Sequence, residues 1–205
     1  MVSDKYWDFY SFFYNPLLKV AEKERSVLYE NLALEPKLPL NVYVAGCGTG
    51  LDFPYLPAGS RVLGVDFSAN MLRKAASVAQ QLAQSPHFMH IQLRQGYAEL
   101  SELPDNSQDL VLLHLILAVT SQPQALLNEA VRVLKPNGKI SLWDKFLPDE
   151  QYASLLRQGL NKLTTKLATS INLQIEPLLA NLPLRIVQRE FRVAKFMQHI
   201  ILQKE

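Results

Sequence analysis

The 205-residue sequence holds a single cysteine, Cys47. A lone thiol closes no internal disulfide and anchors no multi-cysteine zinc site, which speaks against a stapled secreted fold and for a reducing, cytoplasmic setting. An excess of one charge is also missing: 21 Lys and Arg stand against 19 Asp and Glu, a formal charge of +2. That balance supplies no broad phosphate-neutralising surface, so nucleic acid is not an expected partner. Long apolar runs are absent as well. The most apolar stretch, 110–119, contains His114 and is far shorter than the ~20 residues a membrane-spanning helix needs. The opening residues, MVSDKYWDFY, lack the basic start and apolar stretch of a secretory leader, so the chain is expected to begin as mature protein.

What is present alternates between two periods. Runs rich in Val, Ile and Leu at 42–45, 61–65, 90–94, 110–115 and 139–146, bounded by Gly, Pro, Asn or Asp, predict five strands. Between them Ser68 can cap a helix to about 83. Pro123 can open another to 134, which Pro136, Asn137 and Gly138 then end. Strand and helix in alternation predict an α/β sandwich of three layers, a parallel sheet with helices on both faces. Further on, Leu156, Leu160, Leu163 and Leu167 share one helical face. Segments 184–191 and 193–202 read as strands joined tightly around Arg192, which only antiparallel strands allow. The expected sheet is therefore seven-stranded and mostly parallel, with a C-terminal antiparallel hairpin. One domain spans 1–205: a helical N-terminal extension or lid at 1–35, a core at 40–146 and a C-terminal helix and hairpin at 147–205.

The chemistry concentrates at the end of the first strand, where Gly46, Gly48 and Gly50 alternate in VYVAGCGTG. Glycine admits positive φ and close backbone approach, so such a turn can wrap a ligand at the carboxyl end of a strand. A dinucleotide fingerprint would need Gly at 51, where this chain has Leu51, and nicotinamide or flavin binding loses support. Asp66 ends the second predicted strand, where a carboxylate can accept hydrogen bonds from ribose hydroxyls. By itself it could be no more than a helix cap. The glycine turn before it points to a nucleoside ligand. Cys47 has the simple reading of a small packing residue within the turn.

With these residues in hand, VYVAGCGTGLDF, LGVDFSANMLRKA, GYAELSELPDNSQDLVLLHLIL and EAVRVLKPNGKISLWDKF together resemble the class I S-adenosylmethionine-dependent methyltransferases, in family order from about 40 to 146. The aromatic N-terminus and the IEPLL segment resemble the small bacterial phosphatidylethanolamine N-methyltransferases, a group close to the ubiquinone and menaquinone methyltransferases. The resemblance implies a Rossmann-like fold and S-adenosylmethionine as cofactor, with no metal. It implies that Gly46, Cys47, Gly48 and Gly50 pass beneath the cofactor's methionine and ribose, that Asp66 grips the ribose, and that Phe67 and Met71 flank adenine. Tyr97, Ala98 and Glu99 would meet the adenine edge, and His114 the sulfonium end. Asn70 and Leu72 read as plain helix. Two positions depart from the family: Val44 stands where an acid is usual and Tyr97 where Asp is usual. The cofactor's amino group would then be held by water or by another residue such as Asp52.

Seven aromatics, Tyr6, Trp7, Phe9, Tyr10, Phe12, Phe13 and Tyr14, crowd the N-terminus. Tyr6, Tyr10 and Tyr14 repeat every four residues while the phenylalanines lie elsewhere, so one buried face does not account for them. Core packing, a lid over the acceptor and a membrane-surface helix are the three readings. Lys5 alone, opposed by Asp4 and Asp8, gives little of the basic face that a membrane-surface helix carries, which puts the lid first. Tyr6, Tyr10 and Tyr14 are thus expected at the acceptor, as are Asp144 and Lys145 at the carboxyl end of the fifth strand, where a mutual surface pair would read the same; His114, which also reads as a core histidine, Tyr10 and Tyr14 are candidates to free an acceptor lone pair. The expected function is methyl transfer to a hydrophobic or amphiphilic small molecule, a lipid amine or a quinone-like ring, in the cytoplasm or peripherally at the membrane. The alternative is a non-catalytic protein that keeps the fold and binds S-adenosylmethionine or a partner.

Overall fold

A computed structural model of the chain describes residues 15–34, 39–146, 173–192 and 197–205. The aromatic segment with Tyr6, Tyr10 and Tyr14, the leucine-striped segment 156–167 and the junction 193–196 lie outside the described residues. The chain divides into two compact units, one ending at Ala98 and the other starting at Glu99.

The first unit runs α1 (Asn15–Leu32), β1 (Asn41–Ala45), one turn of 3-10 helix (Phe53–Tyr55), β2 (Arg61–Asp66), α2 (Ala69–Ala83) and β3 (His90–Gln95). Its strands pair in parallel in the order β3-β2-β1, with Asn41 opposite Arg61 and Arg61 opposite His90. In β1, Val42, Tyr43, Val44 and Ala45 are all buried, the continuous apolar run of a strand covered on both faces. Ser68 caps α2 through its hydroxyl, which accepts from the Met71 N–H at 3.3 Å. Leu28, Tyr29 and Leu32 bury one side of α1, and the Tyr29 ring stacks on Tyr55 of the 3-10 turn at 5.2 Å between centroids.

The second unit runs β4 (Gln108–His114), α3 (Pro123–Val133), β5 (Leu134–Asp144), a single helical turn α4 (Glu176–Leu179), β6 (Leu184–Arg192) and β7 (Met197–Lys204). Its order is β4-β5-β7-β6; β4 and β5 are parallel, and β7 runs antiparallel to both β5 and β6. Pro123 starts α3, and Leu126, Leu127, Ala130 and Val133 form its buried stripe. The Lys204 ammonium donates to the carbonyls of Val131 and Leu134 at 2.7 Å each, satisfying acceptors that the end of α3 leaves open.

The seven strands, parallel except where β7 joins, are the Rossmann-like arrangement read from the sequence, with one boundary difference. β5 begins at Leu134, not 139, because Gln108 already pairs with Leu134 and the Pro-Asn-Gly stretch forms a bulge inside the strand. The described part of the last strand is Met197–Lys204, and the expected start at 193 lies outside the described residues. Alternation marks a strand's face but not the residue at which ladder pairing starts.

Candidate active site

β1 runs into the glycine turn with Gly46, Gly48 and Gly50 all at positive φ. At Gly50 (φ +79°) an added Cβ would lie 2.7 Å from the Phe53 ring and 3.3 Å from the Ala75 Cα, so glycine there lets the turn sit directly against α2. At Gly48 (φ +54°) an added Cβ meets nothing within 4 Å, and the same holds at Gly96. The turn is thus pressed on one side and open at Gly48. Asp66, at the end of β2, closes the arrangement: its Oδ2 accepts the Gly48 N–H at 2.8 Å and its Oδ1 the Ser68 N–H at 2.9 Å. Burial raises the Asp66 carboxyl above its ordinary range, while N–H groups of Ser68, Gly48 and Phe67 pull it back.

Burial, with Asp66 next in weight, raises the Cys47 thiol far above its usual value, so it packs and does not react. Its Sγ would lie 3.0 Å from a Cβ at Gly64, which ties the glycine of β2 to this packing. Phe67 and Met71 flank the start of α2 at partial exposure, and the Phe67 carbonyl accepts from the Gln95 side chain at 3.1 Å. Tyr97 is 60% exposed. The Ala98 carbonyl accepts a 2.5 Å hydrogen bond from the fully buried Tyr43 hydroxyl, an anchor for the 96–98 segment that the sequence reading missed.

Asp52 was a candidate for the cofactor's amino group. Its Oδ1 instead accepts from Arg25 Nε and from the Tyr29 hydroxyl, each at 3.2 Å, in a pair of which both side chains are 7% exposed. Two residues past Gly50, this buried pair fixes α1 to the segment that follows the glycine turn. Val44, where the family carries an acid, is buried apolar strand.

In the second unit, Glu99 accepts from the Gln122 side chain at 3.2 Å. His114 is the last residue of β4, 6% exposed, with its Nε2 2.8 Å from Ser141 Oγ. Ser141 Oγ in turn lies 3.0 Å from Nε2 of His199. The Trp143 ring meets His114 edge-on, with centroids 6.0 Å apart. Ser141 and His199 were not among the sequence candidates. Their signal was there to read: each is a polar residue inside an apolar strand run, and a buried polar group needs a partner.

Asp144, expected at the acceptor, ends β5. It is fully buried, Oδ2 accepts the Ala118 N–H at 2.9 Å and Oδ1 the Lys145 N–H at 2.8 Å. Burial raises its carboxyl above the usual range. Its carboxylate clamps the loop after β4, where Leu115 adopts φ +61°. Lys145 enters this clamp through its backbone.

Residues 44–142 match the family model described as Methyltransferase domain. A thiol S-methyltransferase of Rattus norvegicus is 31% identical over 122 residues, 59% of this chain and 49% of that protein. A phosphatidylethanolamine N-methyltransferase of Cereibacter sphaeroides is 26% identical over 187 residues, 91% of this chain and 88% of its own length. The crystal structure of an S-adenosylmethionine-dependent methyltransferase from Thermotoga maritima aligns with a TM-score of 0.68 at 18% identity, over 98% of this chain and 97% of that one. That likeness shows the fold. The chain spans about half the length of the thiol methyltransferase it matches.

The residues present fit the cofactor of this family. The Asp66 oxygens take the N–H groups of Gly48 and Ser68, with that of Phe67 also drawn to them, which leaves part of a carboxylate's roughly four acceptor positions for ribose hydroxyls. Among the described residues nothing lies within 4 Å of a Cβ added at Gly48 or at Gly96. Among the described residues no cluster of three or more His, Cys, Asp or Glu is placed to hold a metal ion. Through the methyltransferase-domain match at 44–142 and this cradle, the chain is similar to the class I S-adenosylmethionine-dependent methyltransferases.

Proposed function

We propose that the chain transfers a methyl group to a hydrophobic or amphiphilic small molecule, a lipid amine or a quinone-like ring. The observation that carries the cofactor half is the Asp66 carboxylate held between Gly48 and Ser68 beside an open glycine turn. The acceptor half is supported by the seven aromatics at 6–14, directly upstream of a helix that Arg25 and Tyr29 fix next to the glycine turn. Similarity along nearly the whole chain to a phosphatidylethanolamine N-methyltransferase supports a lipid amine. No helix among the described residues is long and apolar enough to cross a membrane, so a lipid acceptor would be met at the bilayer surface.

S-adenosylmethionine, when bound, supplies an electrophilic methyl carbon on a cationic sulfur. The chain's part is alignment and exclusion of water. Asp66 and the turn fix the nucleoside end, Tyr10 and Tyr14 are the candidates for the acceptor, and aromatic faces stabilise the cationic centre. The test is titration calorimetry with S-adenosylmethionine, followed by transfer of labelled methyl into phosphatidylethanolamine vesicles, a quinol and a water-soluble thiol. Saturable binding with label in the lipid or quinol supports the reading. Label in the thiol alone overturns the acceptor class, and absence of binding overturns the whole.

The second reading is a protein that holds the cofactor without transfer, favoured by the buried apolar Val44 and the exposed Tyr97 where the family carries polar contacts. Tight binding of S-adenosylhomocysteine with no label in any acceptor would select it.

A further inference from the structure

The first unit holds a buried hydroxyl that the cofactor motifs do not account for. Tyr43 is the third residue of β1, in a run where Val42, Val44 and Ala45 are aliphatic and all are buried. Phenylalanine or leucine fills a strand covered on both faces just as well, and a phenol there needs an acceptor to replace the water its O–H gives up. The Tyr43 hydroxyl donates to the Ala98 carbonyl at 2.5 Å, 55 positions away in the chain. That bond is what tyrosine adds over phenylalanine at this place.

It holds the short segment that leaves β3. The start of that segment is tied to the end of β2: the Gly96 N–H donates to the Asp66 carbonyl at 3.1 Å, and Gln95 Nε2 donates to the Phe67 carbonyl at 3.1 Å. Its far end is tied to β1 by Tyr43, three residues before Gly46. Between the two anchors Tyr97 is 60% exposed, and among the described residues nothing lies within 4 Å of a Cβ added at Gly96. Exposed loop backbone of this kind opens at little cost. Fastened at both ends, and at one of them to a ring that is itself locked by full burial, it becomes a fixed edge beside the Asp66 strand end.

We propose that Tyr43 is a positioning residue for the base of the cofactor: through the Ala98 carbonyl it sets the 96–98 backbone where that segment reads the hydrogen-bonding edge of the purine. The proposal rests on the reading of the first-unit cradle as the S-adenosylmethionine site, with Asp66 at the ribose. Asp66 fixes both the sugar and the near end of the segment, so the height of the far end is the one setting left, and Tyr43 makes it. A fixed backbone edge selects by donor and acceptor pattern, because a base with the wrong pattern leaves a backbone group unpaired.

The probes are S-adenosylhomocysteine and S-inosylhomocysteine, which differ only at the base edge: the second carries an oxo group and an N1–H where the first has an amine and a bare N1. In titration calorimetry the full-length wild type should prefer the adenosyl ligand by at least roughly thirtyfold. Tyr43→Phe removes one oxygen from the buried ring. It should weaken S-adenosylhomocysteine by about tenfold and leave S-inosylhomocysteine within about twofold, so that the preference falls by about tenfold. Tyr43→Met, a second side chain without a hydroxyl that adapts to apolar cores, should give the same fall. In amide exchange of the unliganded protein, the peptide covering 95–100 should exchange at least about fivefold faster in Tyr43→Phe, with the peptide covering 61–66 within about twofold of wild type. A preference that the variants leave unchanged, whether the two ligands weaken together or not at all, reduces Tyr43 to packing and overturns the proposal. Unchanged exchange over 95–100, or a wild type that binds both ligands equally, also overturns it and leaves the cofactor reading standing. A wild type that binds neither ligand overturns the cofactor reading and the proposal with it.

Discussion

Asp66 in the first unit is held by backbone N–H groups of Gly48 and Ser68, 18 and 2 positions away, whereas in the second unit Ser141 is linked to His114 and His199 across 27 and 58 positions. Both arrangements engage buried polar groups, but they do so with different materials, and the second leaves Nδ1 of His199 without a partner among the described residues. Backbone donors come from a turn whose shape glycine dictates, so the cradle is written in one short stretch and its partner strand. Side-chain donors must be brought together by strand order and register, and a one-residue slip would turn Ser141 to the other face. The first arrangement presents acceptors beside an open turn, suited to a ligand. The second is closed on itself, suited to fixing a ring.

The sharpest way to break the first arrangement is Gly50→Ala. A Cβ there would lie 2.7 Å from Phe53 and 3.3 Å from the α2 backbone, at a φ of +79°. Left-handed strain and overpacking together should cost about 4 kcal/mol of stability, read as a lower midpoint in urea unfolding. The second arrangement is tested by pH. His199 has a folded pKa of about 3, below its unfolded value near 6.5, so the unfolded chain takes up the proton first and stability is lost as pH falls through that window. Between neutral pH and about pH 4 this amounts to about 3 kcal/mol at ~1.4 kcal/mol per unit. The difference between wild type and His199→Gln in urea unfolding at each pH should shrink by that amount. A smaller effect separates ligand from scaffold. Asp66→Asn keeps the shape but halves the carbonyl-type acceptors, and should weaken S-adenosylmethionine by roughly thirtyfold, about 2 kcal/mol, measured by calorimetry. A comparable loss on Ser141→Ala would erase the contrast between the two regions.

The cradle was legible because each of its requirements has a residue type attached. Alternate glycines announce positive φ, an aspartate after an apolar run announces a strand end, and Ser68 announces a helix start. The relay was not legible for the opposite reason. A serine in ISLW and a histidine in MQHIIL show that something polar is buried in each strand, but not that the two meet. Asp144 shows the same gap. Its position at the end of β5 could be read, but not that the N–H groups of Ala118 and Lys145 occupy both its oxygens. Asp52 likewise turned to Arg25 and Tyr29, on a helix whose approach to the 3-10 turn no local pattern encodes.

Sequence by itself determined the strand and helix alternation, the glycine turn and the acid that ends β2, because these follow from period, backbone freedom and chain-local hydrogen bonding, and its linked motifs carried the resemblance to the methyltransferases. Tertiary structure alone decided which polar residues became partners. A side-chain hydrogen bond depends on strand order and register to within an ångström, and those are properties of the assembled sheet.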